Sequence, residues 1–286
     1  MKKLAPLLLL LVIGLLSGAV FAQTPTPAPA FKRTIYKTDK LDFGSGGTLE
    51  ITGAPVGSIR VEAAAANEIE ISATIEVHAQ NEADLAKLAE VTGFVLEESL
   101  GRTGIISTGT HDKKFVKQFG KKFPRTALGM PFRIDYVIKV PRYCDLIVDG
   151  GRGDLSISGV DGVIRVNYLE SDATIDLVGG SLTATVGKGN IDVSIPSRSW
   201  RGRFAEVQLA SGTMDVKLPA GLNAEVDGTI LRTGKIENTF ADLKPRARKG
   251  EFTEKLIAAK SGVGGIALKF TVGDGTLRLS RFGGTE

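Results

Sequence analysis

Apolar and polar residues alternate in a nine-residue repeat through the middle of the chain. Its five units begin at the small residues Gly153, Gly162, Ser171, Gly180 and Gly189. The residues two and four positions after each start are apolar, namely Leu155, Ile157, Ile164, Val166, Ala173, Ile175, Leu182, Ala184, Ile191 and Val193. The residues three and five positions after each start are polar. Such alternation turns one side of a β-strand inward, and a small residue supplies each turn. The pattern predicts five short strands.

A nine-residue unit is too short to bury its own apolar side, so neighbouring units must stack. Parallel neighbours in one ordinary sheet need a crossover of a dozen or more residues, whereas these turns have about four. A solenoid avoids this problem because successive strands lie on different faces. We therefore predict an all-β fold, a β-solenoid resembling a parallel β-helix. An antiparallel meander or a sandwich also accommodates such turns and remains the alternative.

Looser copies of the repeat flank the clean block, at Gly47 and Gly57 upstream and at Gly212 and Gly275 downstream. One segment in the N-terminal part has helical periodicity instead. Asn81 is a suitable N-cap, and acidic residues follow it in the first turn. We expect one short helix over about residues 82–92.

The N-terminus has the composition of a secretory signal peptide over residues 1–22. Lys2 and Lys3 precede a nearly uninterrupted apolar run that ends at Ala22, where cleavage is expected. An uncleaved membrane anchor is the alternative. Residues 23–40 are predicted to be a Pro/Thr-rich spacer, and residues 41–286 to form the β-solenoid domain. The protein is thus expected outside the cytoplasm, in the periplasm, at the cell surface or secreted.

Composition narrows the possible partners and cofactors. The chain has 36 basic and 32 acidic residues, and loss of Lys2 and Lys3 leaves 34 and 32, a formal charge of +2. Export and this small charge argue against nucleic acid as a partner. Cys144 is the single cysteine, so no intramolecular disulfide forms. With His78 and His111 as the two histidines, zinc ligands are scarce, and we expect neither a metal nor a cofactor.

The order of these features resembles that of a known family. A Gly-led strand pair is followed by a polar insert, a strand ending in Val140-Pro141, and Gly-Asp-led repeats beginning at Gly153-Asp154. This order of strands, insert and repeats, over roughly Leu41 to Leu279, resembles that of the bacterial putative-adhesin domains. The resemblance implies a β-solenoid facing the cell envelope or the exterior, and it brings no catalytic residues. The family is largely of unknown function.

Other motifs give weaker indications. The pairs Asp172 with Asp176 and Asp192 with Asp215 are candidates for acid and base if they face each other, and solvated surface residues otherwise. Arg152-Gly153-Asp154 spells a cell-adhesion tripeptide, but turn geometry in the repeat already explains Gly153 and Asp154.

The insert at 111–131 is the strongest candidate for a binding site. Its basic residues are Lys113, Lys114, Lys117, Lys121, Lys122 and Arg125. Phe115, Phe119 and Phe123 recur every four residues, as on one side of a helical turn. Expected ligands are anionic glycans, lipopolysaccharide or membrane headgroups. The alternative is a loop whose phenylalanines cap the stack while its lysines stay solvated.

Two further basic clusters occur in loops. One consists of Lys244, Arg246, Arg248 and Lys249, and the other of Arg198, Arg201 and Arg203 around Trp200. The leading functional hypothesis is a non-enzymatic, adhesin-like protein that binds or scaffolds at the bacterial envelope or surface. A polysaccharide-active β-helix enzyme and an envelope signalling accessory protein are the alternatives. The sequence identifies no protein partner.

Overall fold

The computed structural model describes residues 31–118 and 123–283, without the side chain of Lys114. The predicted signal peptide and the first part of the predicted spacer lie outside these residues. Within them the chain is all-β, as predicted, with seventeen strands connected by hydrogen bonds. The strands of the first half are β1 Phe31–Asp42, β2 Thr48–Thr52, β3 Ile59–Ala64, β4 Glu68–Ala79, β5 Gly93–Ser99, β6 Arg102–Thr108, β7 Phe132–Pro141, β8 Asp145–Arg152 and β9 Leu155–Ser158.

The second half contributes eight strands. They are β10 Val163–Asp176, β11 Ser181–Ser194, β12 Phe204–Leu218, β13 Ala224–Ile230, β14 Gly234–Asn238, β15 Lys244–Pro245, β16 Leu256–Ser261 and β17 Ile266–Arg281. The helices are α1 Glu82–Val91, α2 Lys113–Gln118 and a 3₁₀ turn at Arg125–Ala127. No helix among the described residues is long and apolar enough to span a bilayer.

The second part of the predicted spacer, residues 31–40, is corrected. These residues belong to β1, which pairs antiparallel with β4 along its whole length. Ile35 and Leu41 pack against the core from this strand. These two apolar residues, with charged residues between them, are typical of a half-buried edge strand and not of a disordered spacer.

The strands form two ladders that meet at a corner. The first ladder runs β5, β6, β2, β8, β10, β11, β12, β17, β13, β16 and β15, and the second runs β1, β4, β7, β3, β9, β10, β11, β12, β17 and β14. The strands β10, β11, β12 and β17 take part in both ladders. Residues of β10 pair with residues of β11 that lie 18 positions later in the chain, as Ile164 does with Leu182. One step of the stack therefore contains two nine-residue units.

The predicted inward positions form the core. All ten apolar positions of the repeat are at most 3% exposed, and they join residues of both ladders in one hydrophobic cluster. Because each fully buried Val, Leu or Ile contributes roughly 1.5–3 kcal/mol, this cluster is the main source of stability. Of the polar positions, Ser194 is also buried.

A column of small residues forms the corner between the ladders. Ser171, Gly189, Gly212 and Gly275 are successive register partners there. Gly212 has φ of 139°, and a Cβ on it would lie 1.8 Å from the carbonyl oxygen of Gly189. Only glycine fits that close approach of two backbones. The same requirement holds for Gly153 of the Arg-Gly-Asp tripeptide, whose Cβ would lie 2.1 Å from the oxygen of Gly57.

The prediction of a β-solenoid resembling a parallel β-helix is not confirmed. The central pairs are parallel, but β1, β4 and β5 at one end and β15 and β16 at the other pair antiparallel. The order in the ladder also departs from the order in the chain, because β17 lies between β12 and the pair β13 and β14. Antiparallel strands at the ends shield the edges of the parallel region.

The predicted helix is confirmed as α1, at the β1 and β4 end. The side chain of Asn81 accepts a hydrogen bond from the backbone N–H of Asp84 at 2.8 Å, which makes Asn81 the N-cap. Leu85, Leu88 and Val91 are buried against the core. The helix therefore covers the core where the predicted basic insert follows β6.

Candidate functional site

The basic insert has a helical beginning, as its phenylalanine spacing predicts. It starts with α2 and ends with the 3₁₀ turn, and residues 119–122 lie outside the described part. Lys113, Lys117 and Arg125 are exposed. Among the described residues, none of these three has a carboxylate within ion-pairing distance. Lys121 and Lys122 fall in the segment that is not described.

Apolar residues attach the insert to the body of the protein. Phe123 and Ala127 are buried, and Phe115 packs against the core from α2. The hydroxyl of Thr126 donates a hydrogen bond to Oδ2 of Asp84 at 2.7 Å, and Asn81 donates to the same oxygen at 3.0 Å. The insert thus caps the core and presents its described basic side chains to solvent. Capping and binding are therefore compatible in this segment.

The outer faces of the sheet have a different charge arrangement, because many of their charges are paired across strands. Lys217 contacts Asp192 at 2.5 Å, Lys269 contacts Glu206 at 2.9 Å, and Arg278 contacts Asp215 at 3.5 Å. Further cross-strand pairs join Lys32 to Glu76 and both Lys139 and Lys40 to Glu70, and Lys235 pairs with Glu237 along β14. Each basic group here is largely compensated by its neighbour.

The pKa values of these pairs follow from the same contacts. Hydrogen bonds from Lys40 and then Lys139 lower the pKa of the Glu70 carboxyl to about 2. The hydrogen bond to Asp192 raises the pKa of Lys217. Both effects favour the charged forms, so these pairs stay ionised at neutral pH.

The sheet brings one of the two candidate carboxylate pairs together. Asp192 and Asp215 are register partners on β11 and β12, about 4.8 Å apart from strand to strand. Each is bound to its own basic residue, Lys217 and Arg278 respectively. Asp172 and Asp176 lie on one strand and bond to Asn190 and Ser194 on the next. In both pairs the carboxylates serve cross-strand bonding.

The turn between β11 and β12 carries the Arg198, Arg201 and Arg203 cluster. These three side chains are exposed, and Trp200 between them is 5% exposed. Within the described chain none of the three arginines has an ion-pair partner. The other loop cluster differs, because Arg246 pairs with Asp227 at 2.7 Å while Lys244, Arg248 and Lys249 remain exposed.

The structure also forms a small surface cavity that no sequence pattern indicated. It has a volume of about 160 Å³ and lies on the outer face of the first ladder. Its lining residues are Thr48, Arg102, Asp145, Leu146, Ile147, Val163 and Arg165. Arg102 is held by Glu50 at 2.9 Å, and Asp145 accepts the backbone N–H of Val163 at 2.7 Å. Residues so far apart in sequence share a cavity only through strand pairing.

The remaining titratable candidates have structural surroundings. Cys144 is buried, and burial raises the pKa of its thiol to about 12, so it stays protonated. His78 contacts Oε1 of Glu76 at 2.7 Å. His111 stacks on Phe132 with ring centroids 5.4 Å apart, and partial desolvation lowers its pKa. The described residues contain no group of three or more His, Cys, Asp or Glu suited to hold a metal ion.

No family model matches this chain, and no curated protein sequence does. Among solved structures, it is similar to a putative cell adhesion protein from Clostridium sporogenes, with 11% identity and a TM-score of 0.49, covering 87% of this chain and 100% of that one. A putative adhesin from Bacteroides fragilis has 14% identity and a TM-score of 0.35, covering 86% and 97%. These names agree with the family resemblance of the sequence.

A third similar structure is named as a putative lipid binding protein, from Parabacteroides distasonis. It has 11% identity and a TM-score of 0.24, covering 85% of this chain and 96% of that one. At such identities and TM-scores, what the three names say applies to those proteins themselves.

Proposed function

We propose that this is a non-enzymatic, adhesin-like protein that binds an anionic polysaccharide of the bacterial envelope or surface through its basic insert. One observation carries the proposal. Lys113, Lys117 and Arg125 are exposed without acidic partners among the described residues, whereas many basic residues on the sheet faces are paired across strands. Uncompensated positive charge attracts polyanions, and the attraction weakens with salt.

A polysaccharide suits the insert better than a lipid bilayer does. Amphipathic elements that bind membranes bury an apolar side in the headgroup region. Here the described phenylalanines face the protein instead, since Phe123 is buried and Phe115 packs on the core. The charged side is then left to bind, which favours a soluble or surface-attached polyanion.

We further infer that the parallel strands form coils of a solenoid with two strands per coil. The 18-residue offset between β10 and β11 equals two nine-residue units. A stack of such coils sets a fixed spacing between its turns, and the predicted signal peptide would deliver it outside the cytoplasm. Binding groups on successive turns would then face a long polymer in a regular array.

The proposal is tested by measuring how the mature protein binds polygalacturonate, lipopolysaccharide, phosphatidylglycerol vesicles and neutral dextran. An insert variant has Gln in place of its six basic residues at positions 113, 114, 117, 121, 122 and 125. A face variant has Gln in place of six paired strand lysines, Lys32, Lys40, Lys139, Lys217, Lys235 and Lys269. Both variants lose the same formal charge.

We expect salt-sensitive binding of polygalacturonate by the wild type and by the face variant, at least about tenfold weaker in the insert variant. Dextran should not bind. Equal losses in the two variants would show that net charge alone acts and would overturn the assignment to the insert. Preferential, insert-dependent binding to vesicles would replace the polysaccharide with a membrane surface, and absence of binding to every ligand would refute the proposal.

A further inference from the structure

The turn between β11 and β12 breaks the repeat. Val163 of β10 pairs with Ser181 of β11, 18 positions later, but Ser181 pairs with Phe204 of β12, 23 positions later. The turn at 177–180 has four residues and the turn at 195–203 has nine. Since both ladders continue in register on either side, the five extra residues are not needed to join the strands.

The extra length carries positive charge. We call residues 195–203 the arginine loop, because it contains Arg198, Arg201 and Arg203 and no acidic residue. The three side chains are exposed, and the described residues supply no carboxylate to pair with them. The loop therefore presents three guanidinium groups within six residues.

Trp200 anchors this loop to the body of the protein. Its side chain is 5% exposed, and a Cβ on Gly202 would lie 1.9 Å from the indole ring, so the backbone crosses directly over the ring. The N–H of Arg203 donates to the oxygen of Gly180 at 2.8 Å, and that of Trp200 donates to Ser197 at 3.0 Å. One hydrogen-bond donor at this anchor is unsatisfied, since the buried indole N–H of Trp200 has no acceptor among the described residues. A buried donor without an acceptor is unfavourable, and an ordinary tight turn would avoid it.

We propose that the arginine loop is an oxyanion-binding site that takes the carboxylate or phosphate groups of an anionic polysaccharide, apart from the basic insert. The choice of polymer rests on the proposed function. Guanidinium is planar and binds a carboxylate or phosphate through two parallel hydrogen bonds, whereas a lysine acts as a point charge. Three arginines on an anchored loop therefore favour recognition of individual oxyanions.

The two sites are separate on the protein. The insert joins the first ladder to the second, at the small-residue corner, whereas the arginine loop joins the second ladder to the first. Four strand spacings, about 19 Å, separate β6 from β11 along the stack. A short oligosaccharide at one site should therefore leave the other free.

The site has its own optical probe, because Trp200 is the single tryptophan of the chain. We would titrate the mature protein with trigalacturonate and with tripolyphosphate and record Trp200 fluorescence. The variants are R198K/R201K/R203K, which keeps the charge, and R198Q/R201Q/R203Q, which removes it. The matched control is K244Q/R248Q/K249Q, which removes three exposed charges from the other loop cluster.

We expect a saturable change in Trp200 emission with at least one of the two ligands, which identifies the preferred oxyanion. The control should bind as the wild type does, the lysine variant about tenfold more weakly, and the glutamine variant should not respond. A lysine variant that binds like the wild type, or a control that loses as much affinity as the glutamine variant, would refute specific oxyanion recognition.

The outcome is distinguishable from failure of the proposed function. A silent Trp200 together with insert-dependent binding of polygalacturonate would overturn the loop site and leave the insert in place. Arginine-dependent Trp200 signals without binding by the insert would uphold an oxyanion site while removing the insert from the proposed function.

Discussion

The faces of the sheet and its turns use basic residues in different ways. On the faces, Lys217 and Lys269 lie beside acidic residues of the neighbouring strand, which neutralise their positive charge. In the turns, Arg198 and Arg201 extend into solvent beside backbone that no repeat constrains. Strand register aligns the face residues in rows, whereas a turn is free to change in length. The faces therefore maintain the fold, and the turns are available for binding.

The largest expected effect follows from a charge placed inside the stack. Leu182→Asp puts a carboxylate at a position with 0% exposure on β11. It should lower the free energy of unfolding by about 5 kcal/mol or more, because the charge loses water without gaining a partner. Urea denaturation measures this change. The neighbouring exposed position provides the control, and Thr183→Asp should cost under about 0.5 kcal/mol.

The corner between the ladders should be nearly as sensitive. Gly212→Ala introduces a Cβ 1.8 Å from a backbone oxygen at a φ of 139°. We expect a loss of about 3 kcal/mol in the free energy of unfolding, measured in the same way. Gly44→Ala is the control, since nothing lies within 4 Å of a Cβ there. Equal stability of the two variants would mean that the glycine column does not hold the strands together at this corner.

These two sites also show what the sequence could predict. Period-two alternation identified Leu182 as inward because strand geometry leaves no other arrangement for such a pattern. The alternation could not identify which strands are neighbours toward the two ends of the stack. There β2 pairs with β8 far along the chain, and β17 inserts beside β12. Those pairings depend on the whole stack and leave no local signal.

The candidate sites were predictable to the same limited extent. The lysines of the insert were visible in the sequence as a run of positive charge. The attachment of the insert through Thr126 and Asp84 was not visible, because it depends on contact with α1. The arginine cluster was visible, but its significance comes from the register change between β11 and β12. Cross-strand ion pairs were hidden, since Asp192 and Lys217 meet only after stacking.

A smaller effect is expected for the paired charges of the faces. Asp192→Asn should lower the free energy of unfolding by under about 1 kcal/mol, because the Asp192 and Lys217 side chains are partly exposed. A double-mutant cycle with Lys217→Gln isolates the coupling between them. A coupling above about 2 kcal/mol would show that the faces contribute far more to stability than exposed pairs do. Neither variant should change polysaccharide binding.

The smallest expected effects concern the loss of stability at low pH. His111, at the start of the insert, has a lowered pKa, so below its unfolded value of 6.5 the unfolded chain binds the proton first and stability decreases as the pH falls. Glu70, on a strand, has a pKa of about 2 against 4.5 when unfolded, so its contribution is complete above pH 4.5 and is lost toward pH 2. His111→Phe should reduce the first loss and Glu70→Gln the second. Unfolding curves measured from pH 7 down to pH 2 would check both windows.

The most direct test of the contrast between faces and turns is the salt dependence of polygalacturonate binding. The slope of the logarithm of affinity against the logarithm of salt concentration reports how many cations of the protein contact a polyanion. We predict that the face variant keeps the wild-type slope, whereas the insert variant has a clearly shallower one. A face variant whose slope falls as much as that of the insert variant would contradict the account, because paired and unpaired charges would then contribute alike.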